Sequence, residues 1–251
     1  MLTVLMCAAL VVPCCLAQKP KEIRVLAAAD LQPVMPSLAA AYEHATGIHL
    51  NVSFASSSTL ATQIINGEPA DLFLAADFSF PEKVIAANLA DTPAPVPYAQ
   101  GALVLWARKD SPLQPLTQNT LHDDHFSRLA IANPDHAPYG RAAVAALTWM
   151  KLYDKLKPQL VVAENIAQTA QFVESGNAQL GLISLTIASS EHFHQIGSFI
   201  RIPQTAYPAI RQCAVVMRNA SHRAEAHAFL DWLRSPPIQQ NLTKYGLDPV
   251  R

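Results

Sequence analysis

From Glu22 onward, short apolar runs alternate with stretches in which apolar residues recur every third or fourth position. Ile23, Val25 and Ala27 predict a first strand. Leu31, Val34, Met35, Leu38 and Tyr42 predict a helix that stops at Gly47, with Pro33 and Pro36 limiting where it starts. Leu50, Val52 and Phe54 alternate with polar neighbours, the mark of a half-buried strand, and Leu60, Ile64 and Ile65 then take up helical spacing until Gly67. Residues 72–76 form a continuous apolar strand of the kind buried in parallel sheets, and 81–89 a short helix. Alternation of this sort predicts an α/β fold, a mainly parallel sheet flanked by helices.

Residues 91–100 carry three prolines and predict a connector. A strand at 103–106 follows, then a polar, irregular stretch over 112–126. The same grammar restarts with a strand at 129–132, a loop to Gly140, a helix over 141–156 and a strand at 160–163. A turn at 164–166 leads into a helix over 167–174, stopped by Gly176, and a strand at 180–185. A further apolar segment, 213–217, and helices at about 221–234 and 236–245 complete the chain. Trp106, Trp149 and Trp232 lie in apolar runs and are expected in the core.

Residues ahead of Glu22 read differently. The apolar run from Leu2 to Leu16, the small-x-small site Cys15-Leu16-Ala17 and the following Lys19 and Lys21 predict a secretory signal peptide over 1–17, without a preceding basic residue. Cys7, Cys14 and Cys15 would leave with it, so the exported chain would keep Cys213 alone and no internal disulfide. A net charge of -1 offers no basic surface for nucleic acid. Neither phosphate-cradling glycine motif occurs, which argues against a nucleotide site of those types.

The chemistry concentrates where strands give way to helices. Ser56, Ser57, Ser58 and Thr59 sit between the strand at 50–54 and its helix. Helix-start N–H groups lack intrahelical partners, and with the helix dipole and serine hydroxyls they suit an anion. One serine suffices for an N-cap, so the stretch reads either as ordinary capping or as an anion site. Asp30, Tyr139 and Ile166 occupy three more such entrances, two in each half. In open α/β sheets, ligands bind outside the carboxyl ends of strands, where these loops gather, and oriented amides need no cation cluster to hold an anion. His122-Asp123-Asp124-His125 and Glu191-His192-Phe193-His194 have metal-like composition in polar stretches, without a known ligand spacing. Asp71 and Asp77 flank a strand as turn and cap residues, and no Gly-x-Ser-x-Gly elbow accompanies the serines.

Five further stretches stand out as motifs: Phe54-Ala55-Ser56-Ser57-Ser58-Thr59-Leu60-Ala61, Pro69-Ala70-Asp71-Leu72-Phe73-Leu74, Ala137-Pro138-Tyr139-Gly140, Glu164-Asn165-Ile166-Ala167-Gln168, and Tyr207-Pro208-Ala209-Ile210-Arg211-Gln212. Together they resemble the motifs of the periplasmic molybdate-binding proteins of ABC importers. The resemblance implies a type II periplasmic-binding fold. Its first lobe would comprise 22–100 plus about 206–251, and its second about 101–205, with the ligand cleft between them. It implies a non-enzymatic, periplasmic, monomeric protein that needs no cofactor or metal cation and passes molybdate or tungstate to a membrane permease. By position it places ligand contacts at Asp30, Ser57, the Tyr139 backbone and the Ile166 backbone, with Ser56 and Ser58 beside them. Many members have a tyrosine where this chain has Ser184. The first contact is normally Ser or Asn, and Asp30 departs from that. A carboxylate about 4 Å from one ligand charge costs on the order of 4 kcal/mol at an effective dielectric near 20. Asp30 therefore turns away to cap its helix, shares a proton with the ligand, or pairs with Arg141. On the same fold, sulfate, phosphate or a protonated oxyanion is the alternative cargo. A secreted serine hydrolase is the alternative from another class.

Overall fold

The computed structural model describes residues 21–250, so the signal segment and its three cysteines lie outside the described residues. Two five-stranded sheets organise the chain. The first has the order β2-β1-β3-β10-β4, built from β1 (Glu22–Ala28), β2 (His49–Ala55), β3 (Leu72–Ala75), β4 (Val96–Gly101) and β10 (Ile210–Val216). The second has the order β7-β6-β8-β5-β9, built from β5 (Leu103–Arg108), β6 (Leu129–Ala132), β7 (Leu160–Ala163), β8 (Leu180–Ser184) and β9 (Gly197–Arg201). Each sheet with its helices is one lobe. The chain crosses between them directly after β4 and again between β9 and β10.

Helices α1 (Met35–Thr46), α2 (Ser57–Ile65) and α3 (Ser79–Ala86) follow β1, β2 and β3. Helices α4 (Pro138–Trp149), α5 (Tyr153–Leu156) and α6 (Ile166–Glu174) follow β6 and β7. Beyond β8 come α7 (Leu185–Ala188) and α8 (Glu191–Ile196), and after β10 come α9 (Arg223–Leu233) and α10 (Pro236–Leu242). Apolar residues from β1, α1, β10 and α9 fill one side of the first sheet, and Leu60, Ile64, Phe73, Phe80 and Val84 the other. The second lobe's core includes Ala28, Ala29 and Ala76 of the first, so small residues let the lobes pack closely across the cleft. Among the described residues, no helix is long and apolar enough to cross a membrane.

Four features depart from the reading of the sequence, within sheets that are mainly parallel as expected but carry one reversed strand each: β10 runs antiparallel to β3 and β4, and β5 antiparallel to β8 and β9. These are the strands beside the crossovers, and apolar periodicity carries no record of strand direction. Part of the proline-rich connector is an edge strand, β4, with an irregular register against Gln212 and Cys213 that accommodates Pro97. Helix α4 begins at Pro138, where proline serves well as a first helical residue, and it ends at Trp149 instead of running on to 156. Trp149 at that end is 59 % exposed, while Trp106 is fully buried. The polar stretch around Glu191 forms α8 and is followed by β9, whose half-buried residues give no alternating signal.

Candidate functional site: a cleft of helix N-termini

Five strands that run parallel within their sheets, β1, β2, β3, β6 and β7, point their carboxyl ends at one place. β1 leads to Asp30, β2 to Ser56 and Ser57, β3 to Ala76, β6 to Tyr139, and β7 to Asn165 and Ile166. Together with Ala28, Ala29, Ala137 and Pro138 these residues line a small cavity of about 10 Å³ shared by both lobes. Four of the eleven lining residues are alanine, so backbone rather than side chain forms much of the wall.

The local sequence explains the exposed donors. Ser56 is the N-cap of α2, its Oγ accepting the Thr59 N–H at 3.1 Å, and Asn165 caps α6 by accepting the Gln168 N–H at 3.0 Å. Those caps satisfy the third N–H of each helix and leave the first ones open. At α4, proline at the first position has no N–H, and Gly140 and Arg141 both donate to the Ala137 carbonyl. Among the described residues, the Ser57, Tyr139 and Ile166 N–H groups have no protein acceptor. Ser57 is buried, and its Oγ accepts the Ala76 N–H at 3.1 Å, which leaves its hydroxyl hydrogen available to a further acceptor. Three helix N-termini and one hydroxyl thus converge from opposite sides on a space with no cation in its wall, an arrangement made for a small anion.

Asp30 is the exception in this positive setting. It is 1 % exposed. Its Oδ2 accepts the Tyr139 hydroxyl at 3.1 Å and the Gln212 side-chain N–H, while Oδ1 is buried without a partner. Gln212 is held in turn by the Tyr98 hydroxyl, which donates to its Oε1 at 2.7 Å. Burial pushes the Asp30 carboxyl up to about 7 against the pull of these hydrogen bonds. Two of the three roles open to Asp30 in the sequence fall away. Its side chain caps no helix: the short 3-10 turn Ala29–Leu31 begins at Ala28 without a side-chain cap. Arg141 pairs instead with Asp77 and lies over the Phe80 ring, 5.2 Å from its centroid.

A 35 % identical relative of known description matches this chain over 92 % of its length and 91 % of its own: a molybdate-binding protein of Azotobacter vinelandii. A molybdate-binding protein of Rhodobacter capsulatus is 31 % identical over 95 % of this chain and 92 % of its own. The solved periplasmic molybdate-binding protein of Azotobacter vinelandii superposes with a TM-score of 0.84 at 30 % identity, covering 91 % of this chain and all of that one. The family model for bacterial extracellular solute-binding proteins matches residues 23–248. The chain belongs to that family.

Within this solute-binding fold, the sequence-predicted residues divide. Asp30, Ser56, Ser57, Tyr139 and Ile166 line the cavity together. Ser58 does not: its N–H donates to the His136 carbonyl across the cleft at 3.2 Å, which makes it a contact between lobes. Beside it, the Thr59 hydroxyl donates to Glu164 at 3.0 Å, and Glu164 also pairs with His136 at 2.9 Å. Burial would raise the Glu164 carboxyl, but hydrogen bonds from His136 and Thr59 bring it below the ordinary value. Ser184 caps α7, accepting the Ile187 N–H, and is not among the lining residues. Gln212 and Tyr98, which position Asp30, escaped the sequence reading. The available signal was a glutamine in a strand that is otherwise apolar beyond Arg211, since a buried polar side chain is the informative exception.

The Arg141–Asp77 pair joins the lobes at the cleft's edge, with side chains 41 % and 20 % exposed. Pairs this open contribute about 0–1 kcal/mol. Arg141→Ala is expected to weaken ligand binding less than tenfold by favouring the open form, measurable by titration calorimetry.

Proposed function

We propose that this chain is an exported carrier that captures molybdate or tungstate between its lobes and presents it to the permease of an ABC importer. The observation that carries this reading is the convergence of the Ser57, Tyr139 and Ile166 N–H groups, from both lobes, on one small cavity. The 35 % and 31 % identical relatives described as molybdate-binding support the choice of oxyanion. Each lobe holds only part of the donor set, so the ligand favours the closed arrangement through contacts that only this arrangement completes. The oxyanion is cargo, and no catalytic step is assigned: Ser57 Oγ is engaged by the Ala76 N–H, and among the described residues no histidine ring contacts it. One chain supplies the whole donor set, which supports action as a monomer. Periplasmic residence agrees with the solved relative and with the apolar leader.

Titration calorimetry with molybdate, tungstate, sulfate and phosphate tests the reading. The expected result is one-to-one binding with the two metal oxyanions preferred. Ser57→Ala should weaken it roughly 10- to 100-fold, the worth of about 1.5–3 kcal/mol for a hydrogen bond to a charged group. Equal affinity for all four anions, or an unchanged Ser57→Ala variant, would contradict it.

A further inference from the structure

The oxyanion reading leaves a carboxyl group beside the anion, and the geometry around it states which of its atoms can do what. Asp30 Oδ2 already accepts from the Tyr139 hydroxyl and from Gln212, whose orientation the Tyr98 hydroxyl holds. Oδ1 is buried, has no protein partner, and belongs to a residue that lines the cavity. An ionised Oδ1 would face the anion with like charge and no compensation, because the cation at the cleft's edge, Arg141, is committed to Asp77. A protonated Oδ1 removes that repulsion and adds a donor to the set built from Ser57, Tyr139 and Ile166. The doubly accepting Oδ2 is the carbonyl-like oxygen of such an acid, so the proton belongs on Oδ1.

We propose that Asp30 holds a proton on Oδ1 and donates it in a hydrogen bond to the captured oxyanion, so that each oxyanion enters this cleft together with one proton. The inference rests on the oxyanion reading of the cleft. No bond other than the O–H of Asp30 is made, and the proton comes from solvent.

The surrounding groups leave Asp30 as the one that titrates. Tyr139 on α4 and Tyr98 on β4 are the ionisable side chains facing it, and burial and then the Asp30 charge push both well above the usual tyrosine range. Cys213 on β10 is raised by burial as well. Helices α2 and α7 contain no ionisable residue, and α6 carries only Glu174, at its far end. Burial raises Asp30 itself to about 7.

The test is titration calorimetry of molybdate and of sulfate at pH 8 in Tris and in Hepes, whose ionisation enthalpies differ. Neither anion carries a proton at that pH, so any proton taken up goes to the protein. Wild type should take up close to one proton per anion, and its Kd should rise about tenfold between pH 8 and pH 9. Asp30→Asn, which can present an N–H where the acid presents an O–H, should take up none, bind about tenfold tighter than wild type at pH 8, and show no pH slope. Asp30→Ser serves the same purpose if Asn disturbs folding. Molybdate binding to wild type without proton uptake, or equal uptake in the neutral variants, overturns the proposal while leaving the oxyanion reading intact. Sulfate binding with one proton and no molybdate binding overturns the cargo and keeps the proton. No binding of either anion overturns both.

Discussion

Gly140→Ala is expected to lower oxyanion affinity by at least tenfold and to destabilise the protein by about 1–3 kcal/mol. Gly140 lies in the first turn of α4, and a Cβ there would come within 2.7 Å of the Asn133 carbonyl carbon and 2.8 Å of that of Ala132, and closer still to the Ala132 oxygen. All three are backbone atoms at the end of β6, a buried central strand that cannot yield as a side-chain tip would. The helix start must therefore move outward. That displaces the Tyr139 N–H from the cavity and its hydroxyl from Asp30. Losing one hydrogen bond to a charged group costs about 1.5–3 kcal/mol, and the strain adds to it. Thermal melts with and without molybdate, beside calorimetry, separate the two contributions: strain lowers both melting temperatures, whereas lost binding shrinks the gap between them.

Asp30 carries the second large effect, read in the absence of ligand. Its carboxyl sits near 7 in the folded protein against 3.8 as its reference value, so between those limits the folded state holds one proton more than the unfolded chain. Stability from this group is therefore greatest below about pH 4, falls as pH rises toward 7, and stays low above that. For the closed form the fall amounts to about 4 kcal/mol, and opening of the lobes, which hydrates the carboxylate, relieves part of it. Glu225, lowered by its hydrogen bond from Lys21, works in the opposite direction. Comparison with Asp30→Asn isolates the effect. The variant should melt higher than wild type at pH 8, and the two should converge near pH 4. Parallel melting curves across pH 4–8 would show that Asp30 is not desolvated as described.

Much of the site was legible because its physics is local. The strand-to-helix entrances at Ser57, Tyr139 and Ile166 show in the succession of apolar run, polar turn and helical spacing, and amide donors need only a helix start, whatever its side chains. Asp30 was legible as an anomaly but not in its role. Its partners Tyr139 and Gln212, and Tyr98 behind Gln212, come from helix α4 and strands β10 and β4, and no local pattern links them. Strand direction was hidden for a related reason. The strands beside the crossovers, β5 and β10, are as apolar as their parallel neighbours, and only the three-dimensional path reverses them. The start of α4 was misplaced because the loop residues Ala137 and Pro138 read as irregular, whereas a proline is at home in a first helical turn. Trp149 was misread because an aromatic at the end of an amphipathic helix has no neighbour to cover it once the chain turns away at Lys151.

The central claim is that both lobes close on one oxyanion at the meeting of three helix N-termini. Anomalous diffraction from crystals grown with tungstate tests it most directly. A single tungsten peak within hydrogen-bonding reach, through its oxygens, of the Ser57, Tyr139 and Ile166 N–H groups is the expected result. A peak elsewhere on the molecule, with none in this cavity, would contradict it.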